Sequence, residues 1–131
     1  MIGILIISHC NVGKEMLKAA EFILGKLEAA DAISINQTTE TQKTLDLISE
    51  KIKKLDMGHG VLILTDMFGG TPTNLGLSFF KEKKVDILTG INLPMLIDIA
   101  QNRTNTSLSD LGERAVATGK KNIAMTGKLL E

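Results

Sequence analysis

The sequence predicts an α/β domain of three layers, a mainly parallel sheet with helices on both faces. Short apolar runs rich in β-branched residues alternate with segments of helical spacing along the chain, the pattern of parallel strands joined by crossover helices. The runs are continuous rather than alternating, as in strands buried on both faces. The length of 131 residues and the 44% hydrophobic content fit one domain over residues 1–131, with a sizeable core.

Ile2 to Ile7 is the first buried strand. Asn11 to Leu27 follows with Met16, Ala20, Ile23 and Leu27 at helical spacing and Gly25 near its end. Ala32 to Ile35 reads as a short second strand. Thr39 to Leu55 carries Leu45, Ile48, Ile52 and Leu55 on one stripe and charges elsewhere, an amphipathic helix. Val61 to Leu64 is a third strand, Thr71 to Lys83 a helix, Val85 to Leu88 a fourth strand and Leu93 to Gln101 a short helix. A helix over Ser107 to Thr118 has Ser107 as N-cap, Asp110 in a capping-box-like position and Gly119 as C-cap. Asn122 to Thr126 is read as a last, edge strand.

Composition removes several function classes. Fifteen Lys+Arg balance fifteen Asp+Glu, so the basic excess of a nucleic-acid binder is missing. Aromatic residues are 3%, with no Trp or Tyr, which argues against base-stacking and sugar-stacking surfaces. No apolar run approaches the ~20 residues needed to span a bilayer. Met1 to Ile7 lacks a basic start and reaches Ser8-His9 too soon for a signal peptide, so the expected location is the cytoplasm. The single Cys10 excludes an intramolecular disulfide and a cysteine zinc cluster, and two histidines argue against a His-rich metal site. No metal or other cofactor is expected. Walker-A, G-x-G-x-x-G and G-x-S-x-G patterns are missing.

In a parallel sheet, ligands bind at the carboxyl ends of the strands, near the reversal in strand order. Ser8-His9-Cys10-Asn11 follows the first strand, Thr65 to Asn74 the third, and Thr89 to Pro94 the fourth. These loops gather an imidazole, a carboxylate and several hydroxyls. Gly69-Gly70-Thr71-Pro72 reads as a strand-to-helix turn, with Thr71 as N-cap, or as a cradle of amides for an anion facing His9. Asp66 reads as a loop cap, or as the carboxylate that fixes the His9 tautomer and leaves the other ring nitrogen nucleophilic. Cys10 is expected to be a small buried thiol, His59 a surface residue, and Met57, Met67, Met95 and Met125 core filler.

Three blocks resemble the EIIA component of the mannose-family sugar phosphotransferase system: Ile4 to His9 (ILIISH), Leu64 to Asn74 (LTDMFGGTPTN) and Thr89 to Leu96 (TGINLPML). Block spacing and total length also agree. The resemblance implies a mostly parallel sheet plus one antiparallel edge strand, here Asn122 to Thr126, exchanged between subunits of a homodimer. It implies that His9 accepts a phosphoryl group from the phosphocarrier HPr and passes it to an EIIB component. Asp66 would orient His9, and Thr65, Gly70 and Thr71 would surround the phosphoryl group. Peripheral association with membrane EIIC and EIID components follows from the same resemblance. The family often has Gly after the histidine where this chain has Cys10, and Asn11 to Lys14 departs from the common leucine-alanine pattern. Two other readings stand beside the carrier: a regulatory phosphorylated module of the same family, and an anion-binding domain without transfer.

Overall fold

The computed structural model describes residues 1–131. Its elements are β1 (Gly3–His9), α1 (Val12–Leu24), β2 (Ala30–Ile35), α2 (Thr41–Leu55), β3 (Val61–Thr65), α3 (Gly70–Leu77), β4 (Val85–Leu88), α4 (Leu93–Asn102), α5 (Leu108–Lys121) and α6 (Thr126–Leu129). The sheet has four strands in the order β2-β1-β3-β4, and every pair is parallel.

Continuous apolar strands have a simple consequence: alternate side chains enter opposite cores. Ile4, Ile6, Leu62 and Leu64 pack with Ala20 of α1, Leu96 and Ile99 of α4 and Leu111 of α5. Leu5, Ile7, Val61 and Ile63 point the other way and pack with Ile48 and Leu55 of α2 and Leu75 of α3. The three-layer α/β/α architecture follows. At the amino ends of the strands, the buried Arg103 guanidinium donates to the carbonyls of Ile2, Glu28 and Ala29 and ties β1 to β2. Burial holds its pKa below the usual arginine value, against a raising effect of the Glu28 charge.

The chain leaves β1 to form β2 on one side and returns to form β3 on the other. Connections from β1 and β3 therefore diverge, opening a crevice at their carboxyl ends. Ile7 lies beside Thr65 in the β1–β3 ladder, which brings the residues that follow both strands together.

Three segments differ from the sequence reading. The helix expected over Thr71 to Lys83 ends at Leu77. Lys81 to Lys84 are good helix formers, but they turn the chain into β4, with Lys83 at φ 64° and the Val85 amide bonded to the Lys81 carbonyl. Gly119 does not cap α5; it lies buried within it, where a Cβ would stand 2.3 Å from Met95 Sδ. Asn122 to Thr126 forms no strand in the single chain, and a one-turn α6 follows instead. A strand needs a ladder partner, and this segment pairs with none of the four strands. It leaves Ile123 and Met125 at 74% and 75% exposure. Met57 and Met67 are exposed as well; of the four methionines expected to fill core, only Met95 is buried.

Gly3 shows how closely the layers approach. A Cβ there would lie 2.4 Å from the Leu55 carbonyl oxygen at the end of α2. Since backbone cannot step aside, Gly3→Ala is expected to lower the unfolding free energy by about 1–3 kcal/mol. Urea denaturation checks this, and an unchanged midpoint would show that α2 and β1 are not in register as described.

Candidate functional site

At the end of β1 the chain turns sharply into α1. Ser8 is fully buried, and its Oγ accepts the Gly13 amide at 2.7 Å. Gly13 is required by closeness: a Cβ would stand 2.7 Å from Ile6 Cγ2. Between them lies Cys10 at φ 47°, its amide donating to the Ile35 carbonyl at 2.7 Å. Glycine adopts this left-handed region without the strain that a Cβ brings. Cys10 is also exposed, contrary to the buried thiol expected from the sequence, because a left-handed residue has left the strand and its alternation.

The next residue back, His9, meets Asp66 from the end of β3. Asp66 Oδ2 accepts the His9 backbone amide at 3.0 Å and contacts His9 Nδ1 at 2.9 Å. A carboxylate only accepts, so Nδ1 carries the proton and Nε2 of the neutral ring carries the free lone pair. The His9 side chain is 45% exposed and that of Asp66 15%. The carboxylate is thus shielded while the ring faces solvent. Asp66 Oδ1 is buried and has no hydrogen-bond partner.

Gly70 opens α3 beside the ring. Gly69 and Gly70 have φ of 80° and 76°, and a Cβ on Gly70 would lie 3.3 Å from His9 Cε1 and 3.4 Å from Nε2. The N-cap of α3 is Gly69, not Thr71, and Thr71 occupies the exposed first turn. The first amides of a helix lack intrahelical partners and favour anions. Pro72 has no amide to offer, so in the first three residues of α3 only Gly70, which lies beside the His9 ring, and Thr71 carry one.

Thr65 is placed differently from Gly70 and Thr71. It is fully buried, and its Oγ1 lies 2.8 Å from Thr73 Oγ1, which donates to the Met67 carbonyl at 2.7 Å. The single Thr73 proton goes to that carbonyl, so Thr65 donates to Thr73 and has no proton left for a phosphoryl oxygen. Thr73 itself escaped the sequence reading. Its only signal is a second hydroxyl within the α3 turn. Asn92 caps α4, accepting the Met95 amide, and its amide group donates to the Gly119 carbonyl. His59 sits at the opposite end of the sheet, near the chain's amino group.

Fold and site together define an α/β domain that presents one carboxylate-oriented imidazole at the switch point of its sheet. Comparison with known proteins narrows that class. Residues 3–116 match the family model EIIA-man, described as the PTS system fructose IIA component, and the chain belongs to this family of phosphotransferase-system EIIA components. It is 30% identical over 133 residues to the PTS system mannose-specific EIIAB component of Escherichia coli (strain K12), covering 99% of this chain and 41% of that protein. The chain therefore spans less than half of that relative's length. It is 27% identical to the PTS system fructose-specific EIIA component of Bacillus subtilis (strain 168), covering 100% of this chain and 90% of that one. The crystal structure of phosphotransferase system component EIIA from Streptococcus agalactiae superposes with a TM-score of 0.88 at 26% identity, covering 98% of this chain and 99% of that one. No helix is long and apolar enough to cross a membrane.

The backbone at Cys10 gives a direct test. A non-glycine residue in the left-handed region costs roughly 1–2 kcal/mol, and Gly loses about 0.5–1 kcal/mol to unfolded-chain entropy. Cys10→Gly should therefore stabilise the protein by about 0.5–1 kcal/mol, read as a higher urea midpoint. A lower midpoint would contradict the strained turn.

Proposed function

We propose that the protein is a phosphoryl carrier of a sugar phosphotransferase system. His9 Nε2 attacks the phosphorus of phospho-HPr in line, the nitrogen–phosphorus bond of the donor breaks, and the donor imidazole leaves with the electron pair. The product ring holds its Nδ1 proton and gains positive charge, which the Asp66 carboxylate offsets. Amides at Gly70 and Thr71 receive the phosphoryl oxygens. Transfer to an EIIB component runs the same steps in reverse. Donor and acceptor bonds are of one kind, so the exchange consumes no nucleotide. The observation that carries this reading is the paired bond from Asp66 Oδ2 to the His9 amide and Nδ1. Two relatives that match nearly the whole chain are named as sugar-specific PTS system components, which favours a carrier over a purely regulatory module or a passive anion binder. The working place is the cytoplasm, beside membrane EIIC and EIID partners.

A homodimer with exchanged C-terminal strands belongs to the same proposal. The free edge of β2 is guarded by the Asp31–Lys51 ion pair. Burial acts to raise the Asp31 carboxyl pKa, but the Lys51 bond, the Ala32 amide and the charges of Lys51 and Lys14 together bring it below the usual value. The β4 edge instead borders a cavity of about 620 Å³ against α5, lined in part by Ile87, Leu88, Leu108 and Val116. Ile123 and Met125 suit such a groove in a second copy, where Asn122 to Thr126 would pair antiparallel with β4.

Incubation with phosphoenolpyruvate, Enzyme I and HPr should label the wild type and leave His9→Ala unlabelled. Asp66→Asn should slow labelling roughly 10²-fold, by loss of the charge that meets the imidazolium. Labelling of His9→Ala at the wild-type level would refute the carrier assignment. Removing residues 122–131 should convert a dimer into a monomer in sedimentation, and a truncated chain that still dimerises would refute the exchange.

A further inference from the structure

We infer that Thr73 is a positioning residue for phosphoryl transfer, acting through Asp66. This rests on the carrier reading above and adds a residue to which nothing in the His9–Asp66 pair points.

Asp66 lacks a partner on one side. Its Oδ2 makes both bonds to His9, while its buried Oδ1 makes none. No hydrogen bond on Oδ1 fixes the other side of the carboxylate. Its aim at His9 must therefore come from the backbone that carries it. On one flank of Asp66 is Thr65, the last residue of β3; on the other is Met67, in the loop. Thr73 binds both. It accepts from the Thr65 hydroxyl at 2.8 Å and donates to the Met67 carbonyl at 2.7 Å. Thr65 and Thr73 are 0% and 2% exposed, so water does not compete for the bond between their hydroxyls.

Proton count gives the link a single sense. The Met67 carbonyl only accepts, which sends the Thr73 proton outward and obliges Thr65 to donate inward. One hydroxyl thus staples the residues before and after Asp66. Thr73 also belongs to α3, whose first residue Gly70 approaches the His9 ring. The same hydroxyl thereby ties the carboxylate and the phosphoryl-receiving amides into one unit. Valine at 73 would keep the shape but leave the buried Thr65 hydroxyl without its acceptor and the Met67 carbonyl without its donor. Serine would keep both bonds.

The test compares Thr73→Val and Thr73→Ser with wild type. It uses two readouts: the rate of labelling from phospho-HPr, and the ring ¹⁵N signals of His9 by NMR. Thr73→Val is expected to slow labelling about tenfold or more and to shift the ring signals away from a fixed Nδ1–H tautomer. Thr73→Ser is expected to stay within about twofold of wild type on the same scale. Unchanged ring signals and rate in Thr73→Val would overturn the proposal. So would a serine variant as slow as the valine one, which would assign the effect to packing. Should Thr73→Val fail to fold, Thr73→Ala carries the same expectation and the same refutation. If the wild type itself takes no label, the carrier reading falls while the ring signals still decide whether Thr73 positions Asp66.

Discussion

The structure of the site depends on one bifurcated contact: Asp66 Oδ2 holding both the backbone amide and Nδ1 of His9. The backbone bond fixes where the residue starts, and the ring bond fixes where the ring points and which nitrogen is protonated. A histidine at a strand end, held only by its backbone, would sample several rotamers. With Asp66 in place, Nε2 is directed at the start of α3 in the resting molecule. Orientation is thus settled before any partner arrives, which is where preorganisation has its value.

The fold brings two strand ends together. Register between β1 and β3, and the reversal of strand order between β2 and β3, put Asp66 beside His9. Two apolar cores hold that register from both sides. Gly13 and Gly70 remove the side-chain volume that would push α1 and α3 away from the site, one against Ile6 and Ser8, the other against the imidazole. Ser8 and Thr73 then fasten each turn from beneath with buried hydroxyls.

Much of this was legible in the sequence because it rests on period and position. Continuous β-branched runs such as Ile4 to Ile7 suit strands covered on both faces, and the switch-point rule pointed to the loops that hold His9, Asp66 and Gly70. What escaped depends on tertiary context. The helix-forming residues Lys81, Glu82, Lys83 and Lys84 form a turn because β4 must begin there. Cys10 carries no mark of a left-handed backbone, since that conformation is imposed by the turn into α1. Thr65 looks like a site residue from its place beside Asp66, yet its proton is taken by a partner eight positions on, a pairing that only the folded loop creates. The last segment reads as a strand from its apolar alternation, but a single chain offers it no ladder.

The central claim is that Asp66 makes Nε2 of His9 the nucleophile. Its most direct test is ¹⁵N and ³¹P NMR of the protein after phosphorylation by phospho-HPr. One phosphohistidine is expected, at His9, with phosphorus bonded to Nε2 and the proton retained on Nδ1. Phosphorus on Nδ1, or on any residue other than His9, would contradict it.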